Sequence, residues 1–452
     1  MKAYFIGIGG IGMSAIARFY KHEGYEIAGY DRTPSDLTGE LQKEGISIHF
    51  DDCVAEIPEQ FRNRDTLVVY TPAIPDNSIE LNYFRETGNN PVKRSAVLGM
   101  IAGDKKVLAV AGTHGKTTVS TLLAHLMTVA SEGCTAFLGG VSKNYNSNLI
   151  LSGSRWLVAE ADEYDRSFLR LYPHIAIVTA ADADHLDIYG TEKEMKKAFG
   201  DFVAQTDSDG ALILKKGTEI PLDRLSCKMF SYSYDSKETD FYACNIELKQ
   251  GFFEFDIRTP FGTVERCTLG LPGWVNVENA VAAVAAAILA GADMDKIKDA
   301  LGMFSGVKRR FDIQVNTPEC VYIDDYAHHP EELKASITSV RQMFAGRKIS
   351  GIFQPHLYSR TRDFADGFAE SLSLLDELIL LDIYPARELP IEGVTSEMIF
   401  DKVRIHNKTM CAGENLMNLL ANRDIDVLMT LGAGDIDRFV KPITKLLSTT
   451  VT

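Results

Sequence analysis

The residues best suited to chemistry stand at Gly112-Thr113-His114-Gly115-Lys116-Thr117-Thr118. Glycines let backbone N–H groups close round an oligophosphate. Lys116 is long enough to reach β- and γ-phosphate oxygens, and the Thr117 hydroxyl can ligate Mg²⁺. The stretch departs from the full G-x-x-x-x-G-K-[ST] pattern, because Val110 stands where its first glycine belongs. Acids follow at Glu160-Ala161-Asp162-Glu163 with Asp165, and again at Ala183-Asp184-His185-Leu186-Asp187. Thr117, Glu160 and His185 form a candidate Mg²⁺ set, although that ion ordinarily takes oxygen and phosphate ligands. One acid at a strand end is commonly just solvated; two such clusters beside a phosphate turn point to a site.

Regular elements must position these groups. The apolar run 106–111 predicts a buried strand into the glycine turn, and 119–127 carries a helical pattern out of it. The runs 156–159 and 175–179 predict neighbouring parallel strands that deliver Glu160 and His185 to the same sheet edge. Upstream, the chain opens as a strand running into Gly7-Ile8-Gly9-Gly10-Ile11-Gly12, with Asp31 lying 19 residues beyond Gly12. By itself that is a dinucleotide fingerprint, and an NAD-dependent oxidoreductase is the reading it offers. Residues 3–17 also look like a signal peptide, but the glycines weaken a continuous apolar helix, so strand, turn and helix fit better. Thr71-Pro72-Ala73-Ile74-Pro75 follows a strand pattern and predicts a loop at the strand's carboxyl end, where open α/β sheets bind ligands.

Residues 142–148 (Ser-Lys-Asn-Tyr-Asn-Ser-Asn) are polar and predict an exposed loop, and 239–269 alternates in the manner of antiparallel strands. Asn276 and Asn279 share a face at the start of an alanine-rich helix, where an amide caps the helix or contacts a base. Later, Lys308-Arg309-Arg310 is a run of cations in which an arginine can reach phosphates across a cleft. Asp324-Asp325-Tyr326-Ala327-His328-His329-Pro330 and Gln354-Pro355-His356-Leu357-Tyr358-Ser359-Arg360 both follow strand patterns. Gly432-Ala433-Gly434-Asp435 again places glycines just past a strand.

Composition limits the partners. With 452 residues, about three domains are expected. A net charge of −15 argues against nucleic acid and anionic membranes as partners, so phosphate binding must be local. No run reaches the length of a membrane span. Seven scattered cysteines without a C-x-x-C pair fit reduced thiols, and a cytoplasmic location is expected.

Together, Gly112-Thr-His-Gly-Lys-Thr-Thr118, Glu160-Ala-Asp-Glu163, Ala183-Asp-His185, Asp324-Asp-Tyr-Ala-His-His-Pro330 and Gly432-Ala-Gly-Asp435 resemble the Mur ligases, in order and over essentially the whole chain. Gly7-Ile-Gly-Gly-Ile-Gly-Met13 and Gln354-Pro-His356 are most similar to the members that join L-alanine to UDP-N-acetylmuramate. The resemblance implies an α/β protein of three domains. These are a Rossmann-like UDP-sugar domain (1–104), a central P-loop ATPase domain with a mixed sheet (105–309) and a Rossmann-like amino-acid domain (310–452). It implies ATP and Mg²⁺ as cofactors, an acyl-phosphate intermediate, and a monomer or weak homodimer.

By the same resemblance, Gly112 to Thr118, Asn279, Arg310 and Asp325 hold the nucleotide, with Asn279 at its adenine end. Gly9, Gly10, Ile11, Gly12, Thr71, Pro72, Ala73, Tyr326, His328, His356 and Arg360 hold the other substrates. Lys116, Glu160, His185, His328 and Arg360 are the catalytic set. A ligase that recycles a whole tripeptide onto the same sugar is the alternative within the family; a non-catalytic sensor would be expected to lack the lysine or the acids. Departures from the family pattern are Val275 (often histidine), Leu357 (often arginine), Tyr164 (often serine) and Gly200, where some sister ligases carry a carbamylated lysine.

Overall fold

The computed structural model describes residues 1–184, 186–249, 251–386 and 388–449. Three sheets organise them. The first is wholly parallel, in the spatial order Ser47–His49, Glu26–Tyr30, Lys2–Ile6, Leu67–Tyr70, Val92–Lys93. The chain order reverses between Lys2–Ile6 and Leu67–Tyr70, and a doubly wound sheet opens its ligand crevice at such a point. The signal-peptide-like N-terminus is strand Lys2–Ile6, a glycine turn and helix Ile11–His22.

Beneath this sheet Tyr4 is fully buried. Its hydroxyl lies 2.7 Å from both Glu80 Oε2 and His49 Nε2. The Glu80 side chain is wholly buried, and burial pushes its carboxyl up to about 7.

The second sheet has ten strands, in the order Gly262–Thr268, Phe252–Thr259, Phe241–Lys249, Lys228–Ser233, Ala211–Lys215, Pro173–Val178, Lys106–Ala111, Trp156–Glu160, Thr135–Ser142, Ser147–Ile150. It is mixed: Phe252–Thr259 and Gly262–Thr268 pair antiparallel, as the alternating pattern predicted, whereas Lys228–Ser233 and Phe241–Lys249 pair parallel. Lys106–Ala111 lies at the centre with Trp156–Glu160 on one side and Pro173–Val178 on the other. The two acid-bearing strands therefore flank the phosphate-turn strand instead of pairing with each other.

The expectation of an exposed loop at 142–148 holds for the turn at 143–146 and is corrected at its ends. Ser147–Ile150 is a strand paired with Thr135–Ser142, and Asn148 is fully buried. The Asn148 amide donates to Ile11 O (2.6 Å) and Ser14 Oγ (2.9 Å) and accepts from Arg18 (2.5 Å). Its polar character serves a helix that is distant in sequence, so local composition misled.

The third sheet runs Asp312–Asn316, Val321–Asp325, Val427–Leu431, Ile349–Phe353, Glu377–Leu380, Asn407–Met410, parallel except for its first strand. The chain forms two compact units. One holds the first sheet and most of the second, with Met1–Ile246, Glu254–Gly270 and Glu278–Ser305; the other holds Glu247–Phe253, Leu271–Val277 and Gly306 onward. Among the described residues no helix is long and apolar enough to cross a membrane.

Candidate active site

In the first unit, loops at the carboxyl ends of the first sheet converge. Gly7 takes φ +86°, and an added Cβ there would stand 2.8 Å from Thr71 Cγ2, so the glycine turn and the Thr71 loop touch. Ile74 N donates to Thr71 O (3.0 Å), which makes Thr71-Pro72-Ala73-Ile74 a tight turn. Asp31 does not stand free for a ribose hydroxyl: its Oδ2 accepts from Gly9 N (2.8 Å) and its Oδ1 from Thr33 N (3.1 Å). Gly10 caps helix Ile11–His22 without a side chain, leaving the first-turn N–H groups of Ile11 and Gly12 at a positive helix end.

The phosphate turn links strand Lys106–Ala111 to helix Lys116–Ala130. Gly112 (φ +134°) packs where a Cβ would meet Ala180 N at 2.8 Å, and a Cβ added to Gly115 (φ +80°) would stand 2.9 Å from Asn279 Oδ1. The structure thus sets Asn279 beside the turn itself. Asn276, inside the same helix, donates to Pro272 O (2.6 Å), which ties the helix start back to the preceding loop. Thr113 spends its N–H on Ala180 O (3.2 Å), and its hydroxyl accepts from Asp182 N (3.2 Å). His114 Nε2 lies 3.5 Å from Asp182 Oδ2, and Thr118 is buried.

Each carboxylate of the acid loop has its own partner. Glu160 Oε2 accepts from the Thr117 hydroxyl (2.8 Å). Glu163 Oε1 accepts from the Lys116 ammonium (2.9 Å), which also donates to Gly112 O (2.5 Å). Asp162 pairs with Arg94 (3.2 Å) and Asp165 with Lys93 (2.8 Å). Asp165 and Arg166 both take positive φ (53°), a conformation that costs of order 1–3 kcal/mol per residue and is held by these surroundings. Burial alone would lower the Lys116 pKa, but the carboxylates of Glu163, Glu160 and Asp162 outweigh it and hold the ammonium above the ordinary lysine value.

The donor set suits a hard divalent cation. The Thr117 hydroxyl and a Glu160 carboxylate are adjacent oxygens. The carboxylate fills space left by Gly139, where an added Cβ would stand 2.5 Å from Glu160 Cδ. His185 lies outside the described residues. Gly200, in helix Glu192–Val203, is packed so that a Cβ would meet Pro221 at 3.0 Å, leaving no ready space for a longer side chain. Among the described residues the one histidine–carboxylate grouping close enough to share a metal is His174, Asp207 and Asp209. It sits at the amino end of strand Pro173–Val178, away from the phosphate turn, with the Lys106 ammonium 3.2 Å from the His174 ring.

In the second unit the adjacent histidines divide their roles. His329 is buried and caps helix Pro330–Met343, accepting from Glu331 N (3.4 Å) in a capping box with Glu332. His328 Nδ1 lies 2.9 Å from Tyr326 O, and its ring meets those of Tyr326 and His356 edge to face. His356 in turn stacks on Tyr384. Arg360 is buried in the first turn of helix Tyr358–Leu372, whose Ser359 N–H is capped by Glu388 (2.9 Å). Leu357, one of the departures, holds φ +69° at the entry to this helix.

The run Lys308-Arg309-Arg310 is not a simple solvated face. Arg309 donates to Gly432 O (2.9 Å) and pairs with Asp324 (3.4 Å) and Asp437 (3.4 Å), and both arginines stack on Tyr326. Burial pushes the Asp324 carboxyl up to about 6. Burial also raises Asp325, which accepts from Ser336 Oγ (2.6 Å) and faces Arg310. Gln354 clamps the last glycine loop through Asp435 (2.8 Å) and Ile436 N (2.9 Å). A polar hollow of about 450 Å³, lined by residues including Lys348, Glu377 and Arg423, opens at the opposite edge of this sheet, away from these loops.

Sequence reading gave no role to Glu163, Arg94, Arg309 or Gln354. Glu163 lay inside a recognised motif and could have been paired with Lys116 by charge. Arg94, beside Lys93 at a helix start, belongs to no recognised motif.

Comparison with known proteins gives the family of the chain. Residues 2–106, 110–287 and 309–434 match the models described as "Mur ligase family, catalytic domain", "Mur ligase middle domain" and "Mur ligase, glutamate ligase domain". The UDP-N-acetylmuramate–L-alanine ligase of Parabacteroides distasonis is 52% identical over 98% of this chain and 96% of its own length. That of Porphyromonas gingivalis is 51% identical over 99% of both. The crystal structure of the Thermotoga maritima UDP-N-acetylmuramate-alanine ligase superposes with a TM-score of 0.85 at 26% identity, covering all of both chains. A murein peptide ligase of Psychrobacter arcticus shares the fold (TM-score 0.74, 22% identity, covering 99% of this chain and 98% of its own). The chain belongs to the Mur ligase family.

Proposed function

We propose that this protein is a UDP-N-acetylmuramate–L-alanine ligase. It spends ATP to activate the lactyl carboxylate of the sugar as an acyl phosphate, which the L-alanine amine then displaces. The observation that carries the reading is the phosphate turn, with Lys116 at Glu163 and Thr117 at Glu160, in a chain half identical end to end to enzymes of that name. The chain divides, on this reading, into a UDP-sugar domain (1–104), an ATP domain (105–309) and an amino-acid domain (310–452), acting in the cytoplasm as a monomer or weak homodimer.

Phosphoryl transfer between two anions needs alignment and charge neutralisation more than covalent help. When a triphosphate enters the turn, the Lys116 ammonium exchanges the Glu163 carboxylate for phosphate oxygens. Thr117 and Glu160, with His185 by resemblance, would hold Mg²⁺, which supplies further neutralisation and geometry when bound. A carboxylate oxygen of the sugar attacks the γ-phosphorus in line and ADP leaves. The deprotonated alanine amine attacks the acyl carbon, and the tetrahedral adduct expels phosphate to leave an amide. His328 and Arg360 position the alanine carboxylate or steady the developing oxyanion. Tyr326 and His356 line the same cluster, and Arg310 and Asp325 serve the nucleotide.

The test is phosphate release by purified protein with UDP-N-acetylmuramate, ATP and Mg²⁺, comparing L-alanine, glycine, L-serine and the tripeptide. L-alanine is expected to give the highest kcat/KM. Release with tripeptide alone would replace this reading by the recycling ligase, and tight NADH binding would revive the oxidoreductase.

A further inference from the structure

Arg94 connects two parts of the first unit that the motifs leave separate. It is the first residue of helix Arg94–Ala102 and emerges from strand Val92–Lys93 at the carboxyl edge of the first sheet, the edge that carries the glycine turn and the Thr71 loop. Its guanidinium lies against helix Ile11–His22: a Cβ added to Gly12 would stand 2.7 Å from Nη1 and 3.3 Å from Cζ. From there Nη2 donates to Asp162 Oδ2 (3.2 Å). The Asp162 carboxylate is fixed in turn by Tyr164 N on Oδ1 (3.1 Å). Asp162 sits between Glu160, which holds Thr117, and Glu163, which holds Lys116.

We propose that Arg94 is a substrate-positioning residue. It binds the diphosphate of the nucleoside-diphosphate sugar at the N-terminus of helix Ile11–His22, and through Asp162 it sets that diphosphate in register with the acid loop and Lys116. Three features favour a diphosphate. The helix end supplies N–H groups and positive potential but no full charge. Asp31, bonded to Gly9 N, places a negative charge beside that turn, so an anion there needs a compensating cation. The guanidinium retains its planar fork and some solvent access, with 18% of the side chain exposed, and a fork matches paired phosphate oxygens. Asp162 uses one arm of the fork, which leaves donors for the ligand. The small size of Gly12 follows from the same contact: any side chain there would displace the guanidinium.

This inference rests on the ligase reading and is separable from it, because the wild-type protein must itself bind the UDP-sugar and release phosphate. The experiment measures binding of UDP-N-acetylmuramate, UDP and uridine by calorimetry without ATP, together with steady-state kinetics, for wild type, Arg94→Met, Arg94→Lys and Asp162→Asn. Arg94→Met is expected to bind UDP-N-acetylmuramate and UDP about 10- to 100-fold more weakly, with uridine unchanged. Arg94→Lys should recover part of that loss, and it keeps the test alive should the methionine variant not fold. Asp162→Asn should retain UDP-sugar binding within about threefold while kcat falls about tenfold or more, because the register to the acid loop is lost. Wild-type affinity for UDP in both Arg94 variants would overturn the proposal. So would a loss confined to UDP-N-acetylmuramate, which would make the sugar's carboxylate the group that is read. An unchanged kcat in Asp162→Asn would remove the coupling.

Discussion

Gly139→Ala tests the Glu160 carboxylate, proposed above to hold Mg²⁺, without replacing it. Gly139 lies in strand Thr135–Ser142 at negative φ, so alanine is compatible with the backbone. The added Cβ would stand 2.5 Å from Glu160 Cδ and 2.7 Å from Oε1, where real Cβ contacts essentially never fall under 3.0 Å. Oε2, the oxygen bonded to Thr117, would be nearer still, so the carboxyl group must retreat by roughly 1–1.5 Å to reach ordinary van der Waals separation. That displacement is large against the 2.8 Å bond from Thr117. A misplacement of about 1 Å costs on the order of 10²-fold in rate, or about 2.7 kcal/mol of transition-state stabilisation.

The assay is phosphate release at saturating substrates, titrated with Mg²⁺, beside a thermal melt. The expected result is a kcat lowered about 100-fold, a higher Mg²⁺ requirement and a melt close to wild type. Glu160→Asp added to Gly139→Ala should recover part of the loss, since a side chain shorter by one bond, ~1.5 Å, vacates the contested space. A kcat within twofold of wild type for Gly139→Ala alone would refute the reasoning, because Glu160 would then be working from some other position.

Three further outcomes follow from the structure. His329→Ala removes a helix cap and should lower the stability of its unit by about 1 kcal/mol in urea titration, with kcat nearly unchanged. His328→Ala should do the reverse, raising KM for L-alanine or lowering kcat, and equal effects from the two would deny the split. Glu80 has its folded pKa raised to about 7 from 4.5, so the folded state prefers the protonated carboxyl. Its contribution is fully present below about pH 4.5 and is lost as pH rises to 7, by about 3 kcal/mol. Glu80→Gln should therefore gain stability relative to wild type between pH 5 and pH 8; a pH-independent difference would mean that Glu80 is ionised in the fold.

Much of the site was legible because its signals are local. The glycines around Lys116 need positive φ, and the acids at 160–165 end a strand, so short stretches announce them. The same holds for the third sheet, where Val321–Asp325 and Ile349–Phe353 deliver their motifs as the patterns predicted. What escaped depends on pairing across the chain. Asn148 looked like a loop residue because its partners, Ile11, Ser14 and Arg18, are over a hundred positions away. Arg94 acquires meaning only when the carboxyl edges of two sheets are set side by side. The placing of strand Lys106–Ala111 between the two acid-bearing strands is a choice of topology that apolar runs do not encode. His328 and His329 are chemically alike in sequence, and only the helix start at Pro330 decides which one caps it.

The central claim is that ATP activates a carboxylate on the sugar. UDP-N-acetylmuramate carrying ¹⁸O in both lactyl carboxylate oxygens, turned over with ATP, Mg²⁺ and L-alanine, tests it most directly. Passage through an acyl phosphate predicts one ¹⁸O in the released inorganic phosphate for each amide formed. Amide formation with unlabelled phosphate would contradict it.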